Sequence, residues 1–370
     1  MSFYEEIKES NWEEHKNSLY SKTEQDVFNA LSKGGTGSIE DFKALISPAA
    51  APYLEQMARL SQELTLKRFG KTIQLYIPLY LSNECTNGCI YCGFKHENKI
   101  DRKTLSEEEI LKEALAIKKM GFKHLLLVTG EHPKSAGFDY LKKAIEIVKP
   151  HFSLISAEVQ PLEKEEYAEL VRVGLNTVYI YQETYRESNY KTYHPKGKKS
   201  DFEYRLKTPE RLGAAEIYKV GLGCLIGLED WRTDSLFVAK HLRYLQKNFW
   251  KAKYSIAFPR IRPYEGAFQP NSIMSDKELV QLICAYRIFD QDVELSLSTR
   301  EKARFRDHMM ELGVTSMSAG SITQPGGYAD NNKELEQFEV SDDRSPAEIV
   351  EMVRSHGYEA VWKDWDVFMQ

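Results

Sequence analysis

Two regimes of hydrophobic and polar patterning divide the chain. Residues 1 to about 70 are charged, carry scattered aromatics and read as helical, with a loop at Gly34, Gly35, Gly37 and Ser38 and no strong strand. From residue 73 the pattern changes to short β-rich segments separated by stretches that read as helices. The strand candidates are IQLYIPLYL from Ile73, HLLLVTG from His124, SLISAEVQ from Ser153, TVYIYQET from Thr177, KVGLGCLIGL from Lys219, YSIAFP from Tyr254, VELSLSTR from Val293 and VTSMSAG from Val314. Several are unbroken apolar runs, as expected of parallel strands buried on both faces.

The intervening helices carry end signals. Ser106 with Glu109 and Ser275 with Glu278 form capping boxes, and Gly121 closes the first of these helices. Thr208-Pro209 predicts a cap followed by proline at the first helical position. Gly174, Gly221 and Gly313 are placed where a helix hands over to a strand. Eight strand–helix alternations predict an α/β fold, a (β/α)8 barrel closed or partly open, with an open doubly wound sheet as the alternative. The expected division is a helical N-terminal extension over 1–70, the barrel over 71–320, and a C-terminal tail over 321–370 packing on it. That tail holds Gln324-Pro325-Gly326-Gly327 and a last helix from Ser345-Pro346 to about His356, stopped by Gly357.

Length and composition fit this picture: 370 residues, 42% apolar and 28% charged, allow one large barrel. A net charge of −5 does not point to nucleic acid. There is no run of 18 apolar residues to span a membrane, and the acidic start Met1-Ser2-Phe3-Tyr4-Glu5-Glu6 does not read as a signal peptide. Five cysteines in a chain of this length are no disulfide framework, so a cytoplasmic location with some thiols as metal ligands is expected.

Three of those cysteines carry the chemistry. SNECTNGCIYCGF spaces Cys85, Cys89 and Cys92 as C-x3-C-x2-C at the C-terminal end of the first strand. Thiolates so close on one loop can converge on one metal centre. Three ligands on a four-iron cluster leave one iron open, whereas electron-carrier clusters take four cysteines. An open iron suits a cluster that binds a substrate or cofactor directly. A zinc site completed by His96 is the competing reading, unusual at a barrel mouth. Cys224 and Cys284 lie in apolar segments and read as small buried residues.

C-x3-C-x2-C followed by glycine, with Tyr91 before the last cysteine, resembles the radical S-adenosylmethionine superfamily. In that family the open iron binds the amino and carboxylate groups of S-adenosylmethionine, and one electron cleaves it to methionine and a 5′-deoxyadenosyl radical. The resemblance extends over residues 70 to 365. LLLVTGEHP (Leu125–Pro133), AEVQPL (Ala157–Leu162), YQETY (Tyr181–Tyr185), LGCLIGLEDWR (Leu222–Arg232), SLSTRE (Ser296–Glu301), TQPGGYAD (Thr323–Asp330) and VWKDWD (Val361–Asp366) look like the tyrosine lyases of thiamine biosynthesis, the 2-iminoacetate synthases.

Each of the motifs before the tail falls at the C-terminal end of a predicted strand, where barrel enzymes place their sites. The resemblance implies a [4Fe-4S] cluster on the three cysteines. It places Gly130 and Glu131 near the methionine amine and pairs Arg205 with the methionine carboxylate. Glu158 and Gln160 alternate with apolar neighbours on the third strand and are expected to point into the barrel, where a ligand satisfies them. Ile226 is expected against adenine, with a plain core role equally open. Ser298 and Arg300 are carried over as binders of the tyrosine carboxylate, since a guanidinium at a barrel mouth suits bidentate capture. Gln182 and Glu183 are expected in the same pocket. Arg260 and Arg262 bind the phenol end or are solvated, and the stretch Lys191, Lys196, Lys198, Lys199 reads most simply as an exposed loop. His132 and His194 lie near the motifs without a role.

The activity implied is cleavage of the Cα–Cβ bond of L-tyrosine to 2-iminoacetate and p-cresol. Thiazole synthase is the implied protein partner and a flavodoxin or ferredoxin type protein the electron donor. The related maturase of iron-only hydrogenase carries a second cluster on an extra C-terminal domain, and no cysteine follows Cys284 here. A tryptophan-cleaving lyase and a non-catalytic iron–sulfur or zinc binding protein are the remaining alternatives.

Overall fold

The computed structural model describes residues 2–262, 268–329 and 337–362. Asp330 of the TQPGGYAD motif and residues 363–366 of VWKDWD lie outside the described residues.

Eight parallel strands form the barrel: β1 (Thr72–Ser82), β2 (His124–Thr129), β3 (Leu154–Glu158), β4 (Thr177–Tyr179), β5 (Lys219–Leu222), β6 (Lys253–Ala257), β7 (Glu294–Leu297) and β8 (Ser316–Ser318). Each pairs with the next, and β1 pairs with both β2 and β8, which closes the sheet. The strand reading therefore holds in number and order, and the open-sheet alternative does not. A ninth strand, β9 (Glu359–Val361), pairs with the start of β1 and was not foreseen.

Period-two alternation explains the two faces of the barrel wall. Ile73, Leu75, Ile77, Leu79 and Leu81 of β1 are fully buried in the main core, against the helix layer. Tyr76, Pro78 and Tyr80, between them, face the barrel interior. The same holds on β7, where Leu295 and Leu297 join the core while Ser296 and Ser298 line the interior.

The helix-end signals mostly match. Ser106/Glu109 and Ser275/Glu278 make complete capping boxes. Gly174 and Gly313 cap the helices Lys164–Val173 and Ala303–Leu312. Two details differ. Thr208 is the first residue of its helix rather than the cap, and its hydroxyl donates back to the Tyr204 carbonyl. Gly221 lies within β5, not at a helix end, and its glycine answers to packing: a Cβ there would come within 2.1 Å of the Tyr179 ring on β4.

Residues before β1 form five α-helices and a 3-10 turn. Two of them, Ile39–Ile46 and Leu54–Phe69, pack on the barrel helix Asp276–Phe289. At the other end the segment after β8 returns over the barrel: Tyr328 donates to the Pro78 carbonyl at 2.6 Å, and Glu113 accepts from the backbone of Tyr328 and Ala329. The last helix is Pro346–Ser355, ending before Gly357 at φ 74°.

Candidate active site

One cavity occupies the C-terminal mouth of the barrel. Its floor is aromatic: Tyr76 and Tyr80 from β1, and Tyr179 and Tyr181 at the end of β4. Cys85, Cys89 and Cys92, on the loop leaving β1, line one part of it, and Ser298, Thr299 and Arg300, leaving β7 two strands away, line another.

The cysteine loop is held by close backbone contacts. Gly130 donates to the Ser82 carbonyl at 2.9 Å, and Thr86 donates to the Glu131 carbonyl through both its N–H and its hydroxyl at 3.0 Å. A Cβ on Gly130 would lie 2.3 Å from the Glu84 carbonyl oxygen, so only glycine lets the β2 end approach the loop. Gly130→Ala is expected to push the loop outward, cost about 1–3 kcal/mol of stability, and lower iron content after reconstitution; thermal unfolding and iron analysis check this. All three thiols are free, and burial pushes the Cys85 and Cys89 thiols up.

Beside the thiols stands a buried charged network. Arg205 donates from Nη1 to Glu131 Oε1 at 2.7 Å and from Nε to the Tyr181 carbonyl at 2.7 Å. Asn87 donates to the other Glu131 oxygen at 2.8 Å. Burial pushes the Glu131 carboxyl up, but Arg205 and Lys199 outweigh it and hold it below the usual carboxylate range. Lys199 donates to Glu183 Oε1 at 2.6 Å. Glu183 adopts φ 72°, left-handed backbone uncommon for a residue with a side chain, and such strain concentrates at functional sites. The strained turn is pinned from behind: buried Asp234 accepts from Thr184 Oγ1 at 3.0 Å and from the Tyr185 N–H at 2.7 Å.

Tyr91 turns its hydroxyl to His194 Nε2 at 2.7 Å, while His194 Nδ1 lies 2.9 Å from the Tyr190 carbonyl. Burial, then Lys199 and Arg205, push this imidazole down to about 2, so it is neutral. A carbonyl only accepts, so Nδ1 carries the proton and Tyr91 is the donor to Nε2.

Glu158 ends β3 inside the cavity with no hydrogen-bond partner among the described residues. Burial pushes it up to about 7, against the pull of Arg300 and with the push of Glu183. Because its folded value stands above its ordinary 4.5, the fold favours the protonated form. As pH rises from 4.5 to about 7 the unfolded chain ionises first, so stability falls over that window and the penalty is constant above it. Glu158→Gln is expected to remove this slope, so that the wild type loses roughly 1–3 kcal/mol relative to the variant across the window. Denaturant titrations of the ligand-free protein at a series of pH values measure the difference.

Of the residues expected at the site, Cys85, Cys89, Cys92, Tyr91, Gly130, Glu131, Glu158, Glu183, Arg205, Ser298 and Arg300 line this one cavity. Gln160, Gln182 and Ile226 do not; all three are buried, and Gln182 donates to the Phe202 carbonyl at 3.3 Å. Leu225 and Ile261 line the cavity where Ile226 was expected. Arg262 lines it but donates to Glu301 at 2.7 Å, and Arg260 is bound to the same carboxylate outside it. Lys191, Lys196 and Lys198 are exposed, whereas Lys199 turns inward onto Glu183. His132 bonds Ser135, and His96 Nδ1 lies 3.4 Å from the Cys85 carbonyl.

Four cavity residues come from the tail, Ser321, Thr323, Gln337 and Phe338, and of these only Thr323 stood in a motif legible in the sequence. Gln337 accepts from Tyr80 at 2.8 Å and approaches Cys92 Sγ at 3.8 Å, and Phe338 lies under the Arg300 guanidinium, 3.4 Å from ring centre to Cζ.

Residues 79–236 match the Radical SAM superfamily, and residues 257–359 match the Biotin and Thiamin Synthesis associated domain. The chain is 50% identical over 369 residues to 2-iminoacetate synthase of Escherichia coli strain K12, spanning 100% of this chain and 98% of that one. The chain belongs to the 2-iminoacetate synthase family of radical S-adenosylmethionine enzymes. The Salmonella typhimurium protein of the same name is 49% identical with the same coverage. Among solved structures, the FeFe-hydrogenase maturase HydG from Carboxydothermus hydrogenoformans superposes with a TM-score of 0.85 at 32% identity, over 98% of this chain and 83% of that one.

The superfamily's cofactors are a four-iron cluster and S-adenosylmethionine. The residues present fit both: three free thiols share one wall, and beside them the cavity offers carboxylates, a guanidinium and an ammonium for a zwitterionic ligand. Among the described residues no helix is long and apolar enough to cross a membrane.

Proposed function

We propose that this chain cleaves the Cα–Cβ bond of L-tyrosine to 2-iminoacetate and p-cresol, with S-adenosylmethionine converted to methionine and 5′-deoxyadenosine. The observation that carries this reading is that Cys85, Cys89 and Cys92 and the expected substrate binders Ser298 and Arg300 all line one cavity. When bound, the reduced cluster and S-adenosylmethionine supply the radical that removes a hydrogen atom from the substrate amine.

The protein's share is positioning and exclusion of water. Cys85, Cys89 and Cys92 hold the cluster. Glu131, kept ionised by Arg205, accepts from the methionine ammonium, and Arg205 offers its guanidinium to the methionine carboxylate. Arg300, stacked on Phe338, and Ser298 take the tyrosine carboxylate. The substrate ring then lies over the Tyr76, Tyr80 and Tyr181 floor, where aromatic contacts suit a phenol. Gln337 and Phe338 cover the mouth. 2-Iminoacetate hydrolyses readily, so direct transfer to thiazole synthase follows, with a flavodoxin or ferredoxin type donor and a cytoplasmic setting.

The test is anaerobic turnover of reconstituted protein with L-tyrosine, with L-tryptophan and with neither. 5′-Deoxyadenosine and p-cresol that rise together with tyrosine alone support the reading. 5′-Deoxyadenosine without p-cresol rejects tyrosine cleavage and, if tryptophan is consumed, assigns the other substrate. Neither product from protein holding a four-iron cluster rejects the lyase.

A further inference from the structure

The reduced cluster needs an electron from outside. The two cysteines beyond the loop are buried in apolar surroundings, so the chain offers no thiols for a second cluster to relay it. Electron transfer weakens steeply with distance, so the donor must dock on the surface next to the cysteine loop.

Two segments bracket that loop and are bonded to it directly. Residues 95–103 follow it: Lys95 N–H donates to the Cys92 carbonyl at 3.2 Å and His96 N–H to the Asn87 carbonyl at 2.8 Å. Arg102 fastens this segment by donating to the Asn83, Phe94 and Lys95 carbonyls. Residues 190–200 approach from the other side, where Gly88 donates to the Lys196 carbonyl and Ile90 to the Tyr193 carbonyl, both at 3.1 Å.

Both segments are basic in a chain whose net charge is −5. Residues 95–103 carry Lys95, Lys99, Arg102 and Lys103 against Glu97 and Asp101, and residues 190–200 carry four lysines and no acid. Lys99, Lys191 and Lys198 are exposed and have no ion-pair partner among the described residues. Four lysines with no ion-pair partner among the described residues, counting half-buried Lys95, thus form a basic collar on the two segments bonded to the cysteine loop, on a protein that is acidic overall. We propose that this collar is the docking surface for an acidic one-electron carrier protein. Such placement raises the encounter rate and orients the donor toward the cluster, and it is weakened by salt. The inference rests on the radical reading above and adds the face through which the electron enters.

The test uses anaerobic holoenzyme, the triple variant Lys99→Glu/Lys191→Glu/Lys198→Glu, and a purified acidic flavodoxin as probe. None of the three lysines lines the cavity. Titration calorimetry with oxidised flavodoxin at low and at physiological ionic strength reads binding without turnover. The dissociation constant of the wild type is expected to rise with salt; that of the variant is expected to be roughly ten-fold higher at low salt and nearly salt-independent. Cluster bleaching by reduced flavodoxin is expected to slow by a similar factor, while bleaching by the methyl viologen radical cation is not slowed. Unchanged flavodoxin affinity overturns the proposal, as does equal slowing with both reductants, which would place the lysines in loop structure instead. If the wild-type cluster is reduced yet no 5′-deoxyadenosine forms, the radical reading fails while the docking result stands by itself.

Discussion

Cys89→Ala is expected to reduce 5′-deoxyadenosine formation by about a hundred-fold or more, since even residues that only support a metal ligand change affinity by 10- to 100-fold. Cys89 is the most enclosed of the three loop cysteines, 5% exposed, and stands between Cys85 and Cys92. Its thiol is pushed up by burial, so in the ligand-free protein it is neutral and behaves as a small apolar group. Losing it should therefore barely change folding of the ligand-free chain. The expected signature is a split: unfolding temperature of the ligand-free protein within a few degrees of wild type, iron content and thiolate-to-iron absorption close to background. A Cys89→Ala protein that retained a full cluster and activity would remove the cysteine loop from the mechanism. Cys224→Ala and Cys284→Ala make the contrast, because both thiols lie in the core and their loss should reduce stability without removing iron.

The same alternation that makes the barrel legible in sequence decides which site residues could be found there. Short β-rich segments, several of them unbroken apolar runs, marked all eight barrel strands. β9 escaped because Glu359-Ala360-Val361 is short, partly exposed and has no pattern of its own. Along YIYQE the interior-facing positions are Tyr179, Tyr181 and Glu183, so the intervening Gln182 turns away from the cavity. Leu225 and Ile226 divide in the same manner. Reading the motif as a block, rather than by parity, placed both faces in the site.

Lys199 shows a different limit. Lys198 and Lys199 are adjacent and chemically identical, yet one is exposed and the other holds Glu183. What separates them is the 3-10 turn Lys198–Ser200 entered from Gly197 at φ 90°, whose hydrogen lies where a Cβ would strike Asn87 Oδ1 at 2.1 Å. That contact joins residues far apart in the chain and leaves no local trace. Gln337 and Phe338 were hidden for the same reason: their partners, Tyr80 on β1 and Arg300 in the turn after β7, are brought near the tail only by the closed barrel.

Asp342→Ala is expected to cost about 3–5 kcal/mol of stability, the usual penalty for removing one partner of a buried ion pair. Arg306, on the helix Ala303–Leu312, is fully buried and donates to Asp342 and to the Ser318 carbonyl at the end of β8. Asp342 also accepts from Arg344 at 2.7 and 2.8 Å. Burial pushes the Asp342 carboxyl up, but Arg344 and Arg306 outweigh it and hold it low. With its folded value below the ordinary one, its contribution is full near neutrality and is lost as pH falls through the folded value. Without Asp342 the guanidinium keeps its burial and loses its counter-charge, whereas Arg306→Met/Asp342→Leu removes both charges and should lose far less. The effect should reach the site as well. Ser341 and Asp342 both donate their N–H groups to the Thr299 carbonyl, at 2.9 and 3.2 Å, which fixes the stretch bearing Gln337 and Phe338 beside Arg300. Denaturant unfolding reads the stability loss, and KM for tyrosine reads the loosened cover. A double variant as unstable as Asp342→Ala would show that the pair matters for its packing volume and not for its charge.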